Sequence, residues 1–137
     1  LMDGGHNPDA AEALRATVQA LCAGRRVHLL LGVSTDKAVE DIGRRLGPLA
    51  VSVTCTASRH PRALSPVTLA RRLRAYCADA HVMSDPLDAY TYLLNAVSRD
   101  DVIVVTGSFF LVGELRAALR QSHVRPRRKA RPAAAAA

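Results

Sequence analysis

The sequence predicts an α/β domain of three layers, in which a mainly parallel sheet is flanked by helices. Two observations support this prediction. Apolar runs of strand length alternate with segments of helical periodicity, and the runs at 27–33 and 102–106 are apolar almost throughout. Strands that are covered on both faces have this composition, whereas half-exposed strands alternate between apolar and polar residues. We therefore expect helices on both faces of the sheet.

The first half of the chain is predicted to contain two helices and two strands. Pro8 suits the first turn of a helix whose apolar residues recur at helical spacing. A strand at 27–33 follows, after which Ser34-Thr35-Asp36 can cap a second helix that Gly47-Pro48 ends. The segment 50–54 is rich in β-branched residues and predicts the second strand.

The second half repeats this alternation after a polar connection at 57–64. Ser65-Pro66 opens a third helix, and a short strand is predicted at 81–83. Asp85-Pro86 again places a capping residue before a proline, which predicts a fourth helix. The last predicted strand spans 102–106.

Three loops are expected at the carboxyl edge of this sheet, where ligands of parallel α/β folds bind. They span 4–7, 32–37 and 107–108, and each contains a small residue and a polar group. Functional side chains are therefore expected in these loops.

The segment Asp3-Gly4-Gly5-His6-Asn7-Pro8 joins the apolar start of the chain to the first helix. The first N–H groups of a helix have no intrahelical partner and carry the positive end of the dipole, so this turn can hold a phosphate or carboxylate. Asp3 and His6 add a carboxylate and an imidazole. The residues alone leave a second interpretation open, in which Asn7 only caps the helix.

The formal net charge of +7 lies entirely at the end of the chain. Residues 1–115 contain 12 Lys/Arg and 12 Asp/Glu, whereas residues 116–137 contain 7 Lys/Arg and no acid. This neutral body argues against nucleic acid as a partner of the fold, and the tail lacks aromatic residues for stacking on bases. We expect a domain at 1–121 and a basic, Ala-rich disordered tail at 122–137.

Other residue patterns argue against several further classes of protein. Cys22, Cys55 and Cys77 form no CxxC pair, which favours a reducing, cytoplasmic setting. The 5 histidines show no H-x-x-x-H spacing, so no metal site is predicted. The apolar run at 27–33 is far shorter than the roughly 20 residues of a membrane span. No G-x-x-x-x-G-K-[ST] frame marks a phosphate-binding P-loop.

Four segments together resemble those of a known family. They are Asp3-Gly4-Gly5-His6-Asn7-Pro8, Asp36-Lys37, His60-Pro61-Arg62-Ala63 and Thr106-Gly107-Ser108-Phe109-Phe110-Leu111-Val112-Gly113-Glu114. Through this ordered set, residues 1–120 resemble the C-terminal domain of the folylpolyglutamate synthase/dihydrofolate synthase family, a branch of the Mur ligase superfamily.

The chain departs from the family pattern at three places. Gly5 stands where the family usually has Ala, and Phe109-Phe110 stands where it usually has an aliphatic residue and Tyr. Ala38 follows Lys37, where an acidic residue is usual.

The resemblance implies a Rossmann-like domain of an ATP-dependent, ADP-forming amide ligase. Such an enzyme adds L-glutamate to dihydropteroate or to a folate through an acyl phosphate. The resemblance also implies that ATP and Mg²⁺ are bound mainly by an N-terminal P-loop domain of the same protein, which is absent from this chain. The isolated domain is then expected to be inactive, and the whole protein to be a monomer.

The same resemblance implies roles for five residues. Asp3, His6 and Asn7 are expected to contact the nucleotide, with His6 the catalytic residue. His6, Lys37 and Ser108 are expected to bind glutamate, and no metal ligand is expected in this domain.

Other interpretations remain open. His6 can be an ordinary turn residue, Ser108 a cap for the last helix, and Lys37 a solvated lysine. The alternative functions are a Mur-type ligase for another acceptor and a non-catalytic anion-binding module. The chain begins at Leu1 within an apparent strand, so we interpret it as part of something longer.

Overall fold

The computed structural model describes residues 1–122, which form four strands, five α-helices and one short 3-10 helix (Gly47–Leu49) that directly follows the second α-helix. In chain order the α-helices and strands are α1 (Pro8–Leu21), β1 (Val27–Leu31), α2 (Val39–Leu46), β2 (Ala50–Cys55), α3 (Pro66–Leu73), β3 (Ala80–Val82), α4 (Pro86–Ala96), β4 (Val102–Thr106) and α5 (Phe109–Ser122). The last helix includes Ser122, the first residue of the predicted tail. The rest of that tail lies outside the described residues.

The four strands form one sheet in the order β3-β2-β1-β4, with every neighbouring pair parallel. The predicted α/β class and mainly parallel sheet are therefore confirmed. The start of the chain runs along the free edge of β4, where Met2 and Val105 form a parallel bridge. The apparent strand at Leu1 is thus a single bridge in the described structure.

Alternate residues of β1 pack against opposite helix layers. Leu29 and Leu31 belong to a core formed with residues of α1, α2 and α3. Leu30 belongs to a second core, formed with residues of α4 and α5. Because both faces of β1 are covered, all five of its residues are buried, as the continuous apolar run predicted.

The start of α4 confirms a predicted cap, and the start of α2 corrects another. Asp85 caps α4 by accepting hydrogen bonds from two backbone N–H groups, each 2.9 Å away. The predicted cap at Ser34-Thr35-Asp36 is wrong, because α2 begins only at Val39 and its N-cap, Ala38, makes no side-chain cap bond. Ser34 instead forms an antiparallel bridge with Ala63, so a long-range contact holds this loop.

A buried polar cluster lies at the amino ends of the central strands. His28 on β1 is 8% exposed, and its Nδ1 lies 2.8 Å from Ser52 Oγ on β2. Its Nε2 lies 3.3 Å from Oδ2 of Asp101, which directly precedes β4. Both ring nitrogens therefore have partners inside the fold, and the cluster connects three segments of the chain.

Candidate functional site

The candidate site lies at the opposite edge of the sheet, where β1 and β4 end. Gly32 N–H donates to Thr106 C=O over 3.3 Å, which holds the two strand ends side by side. Gly107 follows β4 with a φ of 106°, and a Cβ there would lie 2.6 Å from Gly32 C=O. Only glycine fits this turn without strain, so the chain can change direction directly before Ser108.

The N-terminal turn is fastened to the end of β4. Gly107 N–H donates to Gly5 C=O over 3.0 Å, and Thr106 Oγ1 donates to the same oxygen over 3.4 Å. Two residues before Gly5, Asp3 N–H donates to Val105 C=O over 2.9 Å. These bonds bring the predicted residues of segment 3–7 next to Ser108, although about a hundred positions separate them in the sequence.

Asp3 folds back onto its own turn. Its Oδ1 accepts a hydrogen bond from Gly5 N–H over 2.7 Å. A Cβ at Gly5 would lie 2.7 Å from this oxygen, so the glycine leaves room for the bond. Within residues 1–122 the second carboxylate oxygen of Asp3 has no hydrogen-bond partner, and it remains able to accept one from a ligand.

His6 is half-buried, and only one of its nitrogens is used. Nδ1 lies 3.3 Å from Gly4 C=O. Because a carbonyl oxygen can only accept, Nδ1 must carry the hydrogen, and the neutral imidazole then has its lone pair on Nε2. In the described part of the chain Nε2 has no partner, so the ring can accept a proton or a hydrogen bond there.

Asn7 caps α1, as one of the two interpretations of this turn predicted. Its Oδ1 accepts from Ala10 N–H over 2.8 Å, and its own C=O accepts from Ala11 N–H over 3.0 Å. Pro8 has no N–H, so within the described residues only Asp9 N–H in the first turn remains unpaired. Anion binding here would therefore depend on side chains more than on the helix terminus.

Ser108 also has a capping bond. It is 6% exposed, and its Oγ accepts from Phe110 N–H over 3.1 Å at the start of α5. The hydroxyl hydrogen has no acceptor among residues 1–122 and remains free to be donated. The cap interpretation is correct, and it leaves a donor for a ligand carboxylate.

Lys37 lies apart from the other candidates. It precedes α2 by two residues, and its Nζ pairs with Asp36 Oδ2 over 3.3 Å. This pairing lowers the pKa of Asp36. Among the described residues, no hydrogen bond or ion pair joins Lys37 to Asp3, His6 or Ser108. The fold therefore brings Lys37 to the same edge without placing it in contact with them.

Two aromatic contacts at this edge were missed in the sequence analysis. The rings of Phe109 and His6 have centroids 5.2 Å apart and an interplanar angle of 56°. The rings of Phe110 and His60 are stacked, with centroids 3.8 Å apart. The available signal was the pair of phenylalanines directly after Ser108, in a chain that has only 2 phenylalanines.

Neither a metal cluster nor a membrane-spanning helix was found in the described residues. Residues 1–122 contain no group of three His, Cys, Asp or Glu side chains that could hold a metal ion. None of the helices in this part of the chain has the length and apolar character to cross a membrane.

Comparison with known sequences finds a family match over most of the chain. The model of the family described as "Mur ligase, glutamate ligase domain" matches residues 1–109. A dihydrofolate synthase/folylpolyglutamate synthase of Bacillus subtilis is 23% identical over 121 residues, which are 87% of this chain and 27% of that protein. The enzyme of the same name from Haemophilus influenzae is 28% identical, over 83% of this chain and 27% of its own length.

Comparison with solved structures finds a folylpolyglutamate synthase and other chains of the same fold. Mycobacterium tuberculosis folylpolyglutamate synthase complexed with ADP has a TM-score of 0.76 and 30% identity, over 85% of this chain and 28% of that chain. An Escherichia coli protein in complex with ADP has a TM-score of 0.80 at 23% identity, over 88% of this chain and 28% of that chain, which shows likeness of fold. The chain spans about a quarter of the length of the curated relatives it matches.

Proposed function

The chain belongs to the Mur ligase glutamate ligase domain family, and we propose that it is the C-terminal domain of an ATP-dependent, ADP-forming ligase that adds L-glutamate to dihydropteroate or a folate. The main support is the convergence of segments 3–7 and 106–108 at one edge of the sheet. The relatives that share this domain are named dihydrofolate synthase/folylpolyglutamate synthase. The proposed domain spans residues 1–121, and α5 extends one residue beyond it, to Ser122.

The proposed reaction proceeds through an acyl phosphate. ATP transfers its γ-phosphoryl group to the carboxylate of the acceptor, and ADP is released. The amine of glutamate then attacks the acyl carbon, an amide bond forms, and phosphate leaves. Because water would hydrolyse the acyl phosphate, a domain that covers the site has two effects: it excludes water and it orients the amine.

We assign nucleotide contacts to the N-terminal turn. The unpaired carboxylate oxygen of Asp3 can accept a hydrogen bond from a ribose hydroxyl. Asn7 uses its side-chain oxygen, Oδ1, as the helix cap. Its exposed side-chain nitrogen, Nδ2, is therefore left as a donor for a phosphate. His6 lies between these two residues in the turn, and it is the proposed catalytic residue.

The open Nε2 of His6 fits two steps of this reaction. When the imidazole is neutral, Nε2 can accept a hydrogen from the attacking amine, which must lose protons as the amide forms. When the ring is protonated, both nitrogens donate, and Nε2 can bond a phosphate oxygen. Both steps need the nitrogen that the fold leaves without a partner.

Glutamate is proposed to bind between the ends of β1 and β4. The free hydroxyl hydrogen of Ser108 can be donated to one of its carboxylates. Lys37 can pair with the other carboxylate if it exchanges its exposed partner, Asp36, for the ligand. Since an exposed ion pair contributes little, this exchange needs little energy.

The proposed partner is an N-terminal P-loop domain of the same protein, which would bind most of the ATP and Mg²⁺. We assign no Mg²⁺ ligand to residues 1–122, in which Asp3 is the only carboxylate of the N-terminal turn ahead of Pro8. Structural neighbours in complex with ADP, and with AMPPNP and a Mn ion, support nucleotide and metal binding by related proteins. We further propose a cytoplasmic, monomeric enzyme with no nucleic acid or membrane partner.

The test is a product assay on the parent protein, with ATP, Mg²⁺, L-glutamate and either dihydropteroate or a reduced folate. We expect a glutamylated product and stoichiometric ADP. The 137-residue chain alone, assayed as the control, should form neither. Lack of product with both acceptors, or ATP turnover by the 137-residue chain alone, would contradict the proposal.

A further inference from the structure

Phe109 is a large apolar residue in an exposed position beside the proposed catalytic histidine. It is the first residue of α5 and is 68% exposed. Its ring nevertheless contacts the N-terminal turn, with its centroid 5.2 Å from that of His6. A solvent-exposed side chain that packs on one specific turn can fix the conformation of that turn.

Gly4 shows how closely the Phe109 ring approaches the backbone of the turn. A Cβ at Gly4 would overlap two carbons of the Phe109 ring and lie 3.2 Å from a third. No positive φ requires glycine at this position, so the close approach of the ring is what excludes a side chain. The ring therefore lies against the same peptide whose carbonyl oxygen accepts from His6 Nδ1.

The imidazole of His6 needs a second contact to be held in place. Its single hydrogen bond, from Nδ1 to Gly4 C=O, is long at 3.3 Å, and such a bond alone restrains a side chain weakly. The Phe109 ring supplies a tilted aromatic contact to the imidazole. Together the two contacts limit both where the ring lies and which nitrogen faces Gly4.

The position of Phe109 is itself fixed from both sides. Gly107 N–H donates to Gly5 C=O, and Phe110 N–H donates to Ser108 Oγ, so the backbone around Phe109 is tied to the turn and to its own helix cap. The ring is therefore presented to His6 by the contacts that also bring Ser108 to this edge.

We propose that Phe109 is a positioning residue for His6. It holds the imidazole with Nδ1–H on Gly4 C=O, and it thereby keeps the Nε2 lone pair available. The importance of this for catalysis rests on the proposed function, whereas the positioning is a property of the chain and can be measured without any ligase activity.

The test is ¹⁵N NMR of the histidine ring nitrogens in the 137-residue chain, near neutral pH. In the unmodified chain His6 should be mainly the tautomer with hydrogen on Nδ1. Phe109→Ala should give a mixture of tautomers and a more mobile ring, while Phe109→Tyr should restore the original spectrum. Phe110→Ala is the matched control, because that ring stacks on His60, and it should leave the His6 signals unchanged.

A second variant keeps the aromatic ring but displaces it. Gly4→Ala should push Phe109 away and reproduce the tautomer mixture of Phe109→Ala. His6 signals that stay the same in both variants would overturn the proposal. In an active parent enzyme Phe109→Ala should lower kcat about tenfold, because a misplaced catalytic group reacts slowly. An inactive parent would contradict the ligase function and leave the NMR test of positioning intact.

Discussion

Two histidines occupy opposite edges of the same sheet, and the fold treats them differently. His28, at the amino edge, is 8% exposed and has Ser52 and Asp101 on its two nitrogens. His6, at the carboxyl edge, is half-buried and has one partner, Gly4 C=O. The difference indicates that His28 has a structural role, whereas His6 has one ring nitrogen available to a ligand.

The bonds also predict opposite tautomers for the two rings. The carboxylate of Asp101 can only accept, so His28 carries its hydrogen on Nε2 and can accept at Nδ1 from the Ser52 hydroxyl. His6 carries its hydrogen on Nδ1, because its partner is a carbonyl oxygen. Each tautomer follows from a partner that has no hydrogen to give.

The largest expected effect is the loss of activity when His6 is removed. In the parent enzyme His6→Ala should lower product formation by roughly ten- to a hundredfold, the effect of losing one charge-assisted bond. The melting temperature should change little, since no buried group loses its only partner. The matched control is His81→Ala, which removes an exposed histidine paired with Asp79. Equal activity in the two variants would show that His6 is not needed for the reaction.

The next effect is on stability, at the other edge of the sheet. His28→Ala should lower the free energy of unfolding by about 1–3 kcal/mol, because Ser52 would be left buried without its partner. Chemical denaturation of the 137-residue chain measures this loss. In the same experiment His81→Ala should change stability by less than about 0.5 kcal/mol. A His28→Ala chain as stable as the unmodified one would show that the cluster is dispensable.

A smaller effect tests the principle that buried polar groups are tolerated when they are bonded. Thr54 Oγ1 on β2 is buried and has no partner within residues 1–122, so Thr54→Val should raise the free energy of unfolding by about 1 kcal/mol. Thr56 is a matched control, since it is equally buried and donates to Ser84 C=O over 3.1 Å. Thr56→Val should destabilise the chain, and the same sign for both variants would contradict this reasoning.

The smallest effect is on the titration of Asp101. The backbone N–H of Ser98 is the largest cause that lowers the pKa of this carboxyl, and His28 adds to it. Because the folded pKa lies below the ordinary value of about 3.9, the carboxylate stabilises the fold above that pH. This stabilisation is lost as the pH falls through the folded pKa.

Carboxyl ¹³C NMR can measure that pKa in the unmodified chain and in His28→Ala. We expect the pKa of Asp101 to rise in the variant but to stay below its ordinary value, because the Ser98 bond remains. An unchanged pKa would mean that the hydrogen bond with His28 does not lower the pKa of Asp101.

The helices and strands could be predicted because the sequence patterns that indicate them span only a few neighbouring residues. The apolar run at 27–33 gave a strand buried on both faces, and Asp85 before a proline gave a cap. The cap predicted at Ser34-Thr35-Asp36 failed because Ser34 pairs with Ala63, a contact that spans 29 positions and has no local signal. Element types thus follow from periodicity, while loop conformations depend on distant partners.

The candidate site could be predicted only in part, for the same reason. The sequence indicated Asp3, His6 and Ser108, and the structure brings them to one edge of the sheet. The contact between Phe109 and His6 spans more than a hundred positions and depends on the turn at Gly107, so spacing alone could not indicate it. The roles of Asp3, His6, Asn7, Lys37 and Ser108 in ligand binding all remain predictions.

The fold gives both ring nitrogens of His28 a partner and leaves Nε2 of His6 without one among residues 1–122. One ¹⁵N spectrum of the histidine rings of the unmodified 137-residue chain would measure this difference between His28 and His6. We predict a hydrogen on Nε2 of His28 and on Nδ1 of His6. The ring N–H hydrogen of His28 should exchange with water much more slowly than that of His6. The same tautomer at both rings, or equal N–H exchange rates at both, would contradict the assigned difference between the two histidines.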